Sequence, residues 1–410
     1  MNALYFFFSI LVFAPQVSLA VTLEESYKSA LTVYQSDKIN ESKQQQASDA
    51  LSQGRSSYLP TLSARGTYLN QDGSVAQRAL GLNLAANLFN GGKDGEKIEN
   101  LKADKSIAKN TMVLDRIALY SEIIDAYYNY LLNSSEIKNL ELLKNQSKER
   151  VAEIKKRVSI GRSRKGELLQ AEAQLSSAEA QASNGQGLYK QSLEKIKLLT
   201  GFNETVLGSA ELDNQDVQKE VKSFEEYSRL ALDREDVKNK KLEIEKLNRS
   251  LAISRNHFMP KLDLTSNYYA YKAGSTTYKN SDWDVGLTLS IPLFEGGSAQ
   301  SQMRIDLEKK LTSEYQLSDL ERKVIVDLSL KYETYKRTFD QVEPFMRAFD
   351  LARRSYEETL RDYRLGLVTN LDVLTALNLY LDRKRDLEKT RIQVVLTKRQ
   401  LEAAAGVLPQ

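Results

Sequence analysis

The stretch Leu80-Gly81-Leu82-Asn83-Leu84-Ala85-Ala86-Asn87-Leu88-Phe89-Asn90-Gly91-Gly92 carries the reading of this chain. Leu80, Leu82, Leu84, Ala86 and Leu88 alternate with Gly81, Asn83, Ala85 and Asn87. A period of two gives an extended strand one apolar face and one small or polar face. The pattern returns in the second half, where Val285, Leu287, Leu289, Ile291 and Leu293 alternate with Gly286, Thr288, Ser290 and Pro292 and run into Phe294-Glu295-Gly296-Gly297. A strand with lipid on one side and water on the other has this pattern, and a sandwich strand packed on a core reads similarly.

The agreement extends outward from these strands. Tyr58-Leu59-Pro60-Thr61-Leu62 answers Phe258-Met259-Pro260-Lys261-Leu262, an offset of about 200 residues, and from Leu88 and Leu293 onward the offset is about 205. Tyr127 and Tyr130 answer Tyr332 and Tyr335, Gly161 answers Gly366, and Gly201 answers Gly406. Two copies of one unit are therefore expected, 21–205 and 206–410. The offset changes between Asn70 and Arg78, so the second copy carries extra residues from Ala273 to Asp282, as an exposed loop would.

Each copy opens on a capping-box signature, Thr22 with Glu25 and Ser223 with Glu226, from which a helix is expected to run to the Pro. Two short strands follow. From Gly92 to Gly161 and from Gly297 to Gly366 lie about 67 residues rich in Leu, Glu, Lys and Ala, which as one helix span about 100 Å. A second helix returns from each tip and ends near Thr200-Gly201 or Ala405-Gly406. Such hairpins are too polar to be buried all round.

Composition narrows the setting. The 410 residues carry 58 Lys+Arg against 55 Asp+Glu, and a formal charge of +3 supplies no basic field for nucleic acid. Residues 1–20 run from an apolar Leu4–Phe13 through Pro15 to Ser18-Leu19-Ala20 and read as a secretory signal peptide, despite an n-region without Lys or Arg. After Ala20 no segment approaches the roughly 20 apolar residues of a spanning helix, so any insertion in a bilayer must use strands. There is no Cys and one His, His257, beside Pro260, where a surface turn is expected and no chemistry is assigned. No nucleophile–base pair, metal cluster or phosphate loop is evident, so neither an enzyme nor a cofactor is expected.

Four strands cannot close a transmembrane barrel, which begins at about eight. Three copies give about twelve strands and a wide lumen, whereas the eight strands of a dimer nearly fill their own interior. The fold expected is mainly α with a small β part: long helical hairpins forming an α-barrel tunnel, plus four strands per subunit contributed to a trimeric twelve-stranded barrel.

The order of elements, the paired halves, the Leu-Phe-x-Gly-Gly ends at Leu88 and Leu293, and the tip Tyr363-Arg364-Leu365-Gly366-Leu367-Val368-Thr369-Asn370-Leu371-Asp372-Val373-Leu374 together resemble the TolC-like outer-membrane factors over essentially the whole mature chain. The resemblance implies an outer-membrane exit duct with a periplasmic helical domain, serving a tripartite efflux pump or type I secretion. Its implied partners are a homotrimer, outer-membrane lipid, a periplasmic adaptor (membrane fusion) protein, and an inner-membrane pump or ABC transporter. Little chain follows Gly406, which implies no elaborate equatorial belt. The alternative from a different class is a soluble periplasmic coiled-coil adaptor or scaffold, which leaves the strands unexplained.

The resemblance also carries roles onto residues. Asp372 matches an acid lining the periplasmic aperture, and Glu167 stands at the same distance after its Gly, both acids being expected about 1.5 turns into the returning helix. The bland alternative is complementing the helix dipole. Tyr363 matches an aperture-closing residue whose partner Arg is Val368 here. Arg364, Leu365, Gly366 and Leu367, with Gly161 in the first copy, resemble the adaptor-docking tips. Gly91, Gly92, Gly296 and Gly297 read as strand–helix joints, and Tyr68, Tyr268, Tyr269, Tyr271 and Trp283 suit an aromatic girdle.

Overall fold

The computed structural model describes residues 21–70, 76–208, 221–274 and 282–409. The expected signal peptide and the centres of the two variable loops lie outside the described residues.

Thr22 caps α1 (Leu23–Val33): its hydroxyl accepts from Glu25 N, and the Glu25 carboxylate accepts from Thr22 N, each at 3.1 Å. Ser223 and Glu226 do the same for α6 (Phe224–Leu232). Neither helix continues unbroken to its proline. The backbone turns extended at Tyr34 and again at Arg234, so α2 (Ser36–Arg55) and α7 (Glu235–Arg255) are separate helices, each ending in a 3₁₀ turn before Pro60 or Pro260. Arg234 holds its break in place by bonding the Asp236 carboxylate and the Ala404 carbonyl.

Four antiparallel strands follow the prolines in the order β1 (Thr61–Leu69), β2 (Gln77–Asn90), β3 (Lys261–Ala273) and β4 (Trp283–Ser290). The sheet is open, with β1 and β4 as its edges. β4 stops at Ser290 rather than reaching Leu293, because Pro292 has no N–H for a ladder; β2, with Asn87 in the equivalent place, runs on to Asn90. One face carries a row of hydrogen-bonded polar side chains. Asn83 donates to Asn267 at 2.7 Å, Asn267 to Asp284 at 2.8 Å, and Asn87 to Asp263 at 2.8 Å. The opposite face carries Leu62, Leu82, Tyr268, Val285, Leu287 and Leu289, all exposed.

The period-two pattern therefore produces a sheet with one wet face and one greasy face, and no core covers either.

Long helices fill the rest: α3 (Lys93–Ser159), α4 (Lys165–Thr200), the short α5 (Glu204–Leu207), α8 (Ser298–Asp340), α9 (Val342–Leu365) and α10 (Asn370–Ala404). α3 is one helix of 67 residues, roughly 100 Å long. Its expected counterpart is instead broken at Gln341. Pro344 has no N–H to give the preceding turn and is tolerated only in the first turn of a helix, which is where it stands in α9. Gln341 keeps helical dihedrals (φ −79°, ψ −17°), so the break is a lost hydrogen-bonded turn and not a reversal. Among the described residues no helix is long and apolar enough to cross a membrane.

The main core lies midway along α3 and at the ends of α4, α7 and α10, where Tyr27, Ile123, Ile124, Tyr130, Ile196, Val237, Leu328, Val394 and Leu401 are buried. Tyr127 and Tyr130 tie it to segments flanking the first half's helices by donating to the carbonyls of Val21 (2.7 Å) and Leu207 (3.1 Å). Each such buried aliphatic contributes about 1.5–3 kcal/mol relative to exposure. The core thus fixes the helices at mid-height and leaves the sheet at one end and the hairpin tips at the other.

Candidate functional site

Both tips use the same helix-ending device. Gly161 (φ 73°) and Gly366 (φ 78°) take the left-handed backbone that glycine tolerates best. The next amide then reaches back: Arg162 N to Arg157 O at 2.8 Å, and Leu367 N to Asp362 O at 2.9 Å, the long bond of a Schellman turn. Leu365 and Leu367 are exposed at 74% and 71%, and so is Ile160, the residue before Gly161, which the sequence reading did not single out. Its position one residue before the tip glycine, matching Leu365, was the available signal. Arg364 is exposed beside them.

The two acids lie nearer the tips than expected. Each is the third residue of its helix, within the first turn, because α4 begins at Lys165 and α10 at Asn370. Asp372 closes a capping box: its carboxylate accepts from Thr369 N at 2.8 Å and Thr369 Oγ at 2.6 Å. These bonds hold the fully exposed Asp372 carboxyl below the usual carboxylate range. Thr369-x-x-Asp372 was the sequence signal for this arrangement. Glu167 has no such cap, since Arg164 precedes its helix, and it accepts instead from the Ser163 hydroxyl. The same helical position is thus filled by an acid in both halves, with different partners.

Tyr363 is buried at 8% exposure between two guanidinium groups of α3, Arg150 at 4.2 Å and Arg157 at 4.4 Å from its ring centre. Burial pushes its phenol up, and the two cations oppose that shift. Arg150 also donates to Asn370 Oδ1 at the start of α10 and to Glu153 at 2.6 Å; Glu153 in turn pairs with Arg157 at 2.9 Å. The cluster joins α3 of the first half to both helices of the second tip. Among the described residues no bond joins Tyr363 to either acid, but Glu167 is close enough for its charge to add to the upward push on the Tyr363 phenol. Sequence reasoning missed Arg150, Glu153 and Arg157; their spacing of three and four places them on one helix face, but nothing local points to a tyrosine about 200 residues away.

At the other end, Gly91 (φ 59°) and Gly92 (φ 75°) turn β2 into α3, and Gly296 (φ 60°) and Gly297 (φ 84°) lead from β4 into α8. Gly92 and Gly297 are the residues just before the two helices. His257 sits in the 3₁₀ turn before Pro260, with Nε2 2.6 Å from the Glu295 carboxylate that precedes the second Gly-Gly pair.

Comparison with known proteins decides the family. A family model described as outer membrane efflux protein matches residues 16–202 and 227–407. The chain belongs to the outer membrane efflux protein family. Individual relatives match at low identity. The chain is 22% identical to the alkaline protease secretion protein AprF of Pseudomonas aeruginosa over 71% of this chain and 62% of that protein. It is 20% identical to the outer membrane protein TolC of Vibrio cholerae over 89% of this chain and 86% of that one. The match therefore spans less than two thirds of AprF. Among solved structures, the Campylobacter jejuni CmeC outer membrane channel superposes with a TM-score of 0.80 at 19% identity, covering 99% of this chain and 93% of that chain. At that identity the superposition fixes the fold: a helical tunnel segment joined to a part of a β-barrel.

Proposed function

We propose that this protein is one subunit of a trimeric exit duct in the outer membrane, a passive channel through which a tripartite efflux pump or a type I secretion system discharges its cargo. The observation that carries the proposal is the open four-stranded sheet, which buries neither face and leaves two strand edges for other strands. Backbone edges exposed to hydrocarbon cost several kcal/mol per unpaired group, and a closed ring removes them. The apolar face would meet lipid and the Asn83–Asn267–Asp284 row would meet the lumen. A soluble adaptor gives no reason for such a sheet.

In this reading the mature chain starts at or near Val21, its halves 21–205 and 206–410 each supply one hairpin of strands and one of helices, and the helices stand in the periplasm. Asp372 and Glu167 line the periplasmic aperture, Tyr363 with Arg150 and Arg157 holds it, and Ile160, Gly161, Arg364, Leu365, Gly366 and Leu367 offer an apolar-rimmed turn to a periplasmic adaptor. An inner-membrane pump or transporter supplies the energy, because the duct itself has no catalytic task. Topology tests the reading. A single Cys beside Gly274 should react with a membrane-impermeant thiol reagent in intact cells, and a Cys at Gly366 should not. The opposite result would invert the duct and sink the proposal.

A further inference from the structure

The two hairpin tips share a backbone but not a charge. From Lys155 to Glu167 six cations, Lys155, Lys156, Arg157, Arg162, Arg164 and Lys165, stand against one acid. Over the equivalent residues, Leu360 to Asp372, Arg361 and Arg364 are balanced by Asp362 and Asp372. The first tip therefore carries more positive charge than the whole chain, whose net is +3, and the rest of the protein is slightly acidic.

Part of this follows from folding. Lys156 and Arg157 lie in the last turn of α3, where cations meet the negative end of the helix dipole, and Arg157 also pairs with Glu153 at 2.9 Å. Arg162, Arg164 and Lys165 have no such account. They follow the turn at Gly161 and lead into α4, where the positive end of the dipole and the free N–H groups favour acids and oxygen acceptors. The one acid at hand, Glu167, is engaged by the Ser163 hydroxyl.

The second tip uses the same three positions for its own structure. Thr369, the counterpart of Arg164, closes a capping box with Asp372, whereas Arg164 stands at the N-cap and makes no side-chain cap. Asn370, the counterpart of Lys165, accepts from Arg150, and the counterpart of Arg162 is Leu367. In the first tip these positions hold cations that are exposed and whose side chains bond to no group among the described residues. Beside them Ile160 is 64% exposed. This arrangement serves α4 less well than its twin serves α10, so contact with another molecule is the better account of it.

We propose that the first tip is an electrostatic docking surface, on which Arg162, Arg164 and Lys165, around Ile160, receive an acidic face of a periplasmic protein. Charge complementarity gives that face its chemistry: Asp and Glu side chains flanking an apolar spot. A bilayer of anionic lipid is the other surface such cations can meet, and the neighbouring tip disfavours it. Arg157 lies 4.4 Å from the ring centre of Tyr363, so the two tips stand side by side, and a flat anionic surface reaching one would also meet the exposed Asp372 carboxylate of the other. A protein can seat on one tip and spare its neighbour. In a three-fold duct charged and neutral tips alternate, which lets a partner tell one hairpin from the next, since exposed charges steer approach and fix register more than they add affinity. The proposal rests on the duct reading above and names the chemistry of its partner.

The test uses the full-length protein in its own cells. A photo-reactive residue replaces Ile160 or, separately, Gly166, which has nothing within 4 Å, and the cross-linked partner peptide is read by mass spectrometry. The expected peptide holds several Asp or Glu beside its cross-linked residue. Giving the first tip the second tip's residues, Arg162→Leu with Arg164→Thr and Lys165→Asn, should lower the yield about tenfold, the size of three exposed ion pairs together. Arg162→Glu with Arg164→Glu should lose the cross-link and regain it when the partner's acids are changed to Lys. Because these side chains bond to nothing in the chain, both variants should keep the parent's native mass and melting temperature, which separates lost docking from lost fold. An unchanged yield in the triple variant, or a partner peptide without acids, would overturn the electrostatic surface, and a trimeric native mass would leave the duct standing. The absence of a protein cross-link from either position would overturn the proposal as well. Flotation of the purified chain with phosphatidylglycerol but not phosphatidylcholine vesicles, lost in the triple variant, would then assign the tip to a membrane. A monomeric native mass for the unmodified chain would overturn the duct reading itself.

Discussion

α3 and the α8–α9 pair occupy equivalent places in the two halves, yet their surroundings differ. α3 lies among α2, α7, α4 and α10, and its buried residues run from Ala103 to Ile154. α8 and α9 touch mainly α6, α7 and α10, and Tyr315, Leu330 and Leu351 stand 73%, 65% and 67% exposed. At the positions equivalent to these three, α3 carries the half-buried polar residues Asn110, Asp125 and Gln146, so the side that is partly covered in the first half is apolar and open in the second. That difference fits the proposed assembly, in which a neighbouring copy covers the second half.

The comparison is broken most severely at the proline. Asn139 of α3 is the counterpart of Pro344; it is buried and donates to Glu388 at 2.7 Å. Asn139→Pro should cost about 3 kcal/mol or more in helix alone, with a further loss of about 1.5–3 kcal/mol for the bond to a carboxylate. We expect it to abolish the assembled species in outer-membrane fractions. Pro344→Asn should be tolerated and should raise the melting temperature of the purified protein. Equal loss in both variants would show that the break at Gln341 is required rather than merely permitted.

A smaller effect is expected at the tips. Arg150→Ala removes one guanidinium from Tyr363 and strands the Asn370 carbonyl, a loss of about 1.5–3 kcal/mol. Tyr363→Phe keeps the ring face that the two arginines use and should change little. Limited proteolysis at the second tip would report the difference, with Arg150→Ala cut faster and Tyr363→Phe near the parent rate. Equal rates would remove the cluster from any role in holding the tip.

The smallest change distinguishes the two acids. Asp372→Asn should lower cation preference and weaken block by multivalent cations in single-channel recordings, by the rule that acidic rings in pores attract cations. Glu167→Gln should do less if it serves mainly the helix dipole. The Asp372 carboxyl is held below its ordinary value by Thr369, so its charge and its cap are complete above the ordinary carboxylate pKa, about 3.9. Both are lost only as pH falls through the lower folded value. Selectivity due to Asp372 should therefore persist at about pH 4, where an ordinary Asp is half protonated. Thr369→Val removes the hydroxyl bond and should move that loss to higher pH. An unchanged titration in this variant would separate the charge from the cap.

Much of this was legible in the sequence because it depends on local pattern. Period two from Leu80 to Leu88 defined a two-faced strand, and the capping boxes at Thr22 and Ser223 placed helix starts. Pro292 and Pro344 were both visible, but the reading ran β4 past one and the long helix through the other, giving apolar periodicity more weight than a missing N–H. The depth of Asp372 was misjudged for a related reason: the turn takes four residues before the helix begins, so counting from Gly366 overstated it. The arginines around Tyr363 were illegible, since that contact joins residues about 200 positions apart and each side reads locally as an ordinary amphipathic helix.

Native mass measurement on the detergent-solubilised outer-membrane fraction tests the central claim most directly. The account predicts three copies of the mature chain in that fraction. Recovery of the protein as a monomer from the soluble periplasm, without detergent, would contradict it.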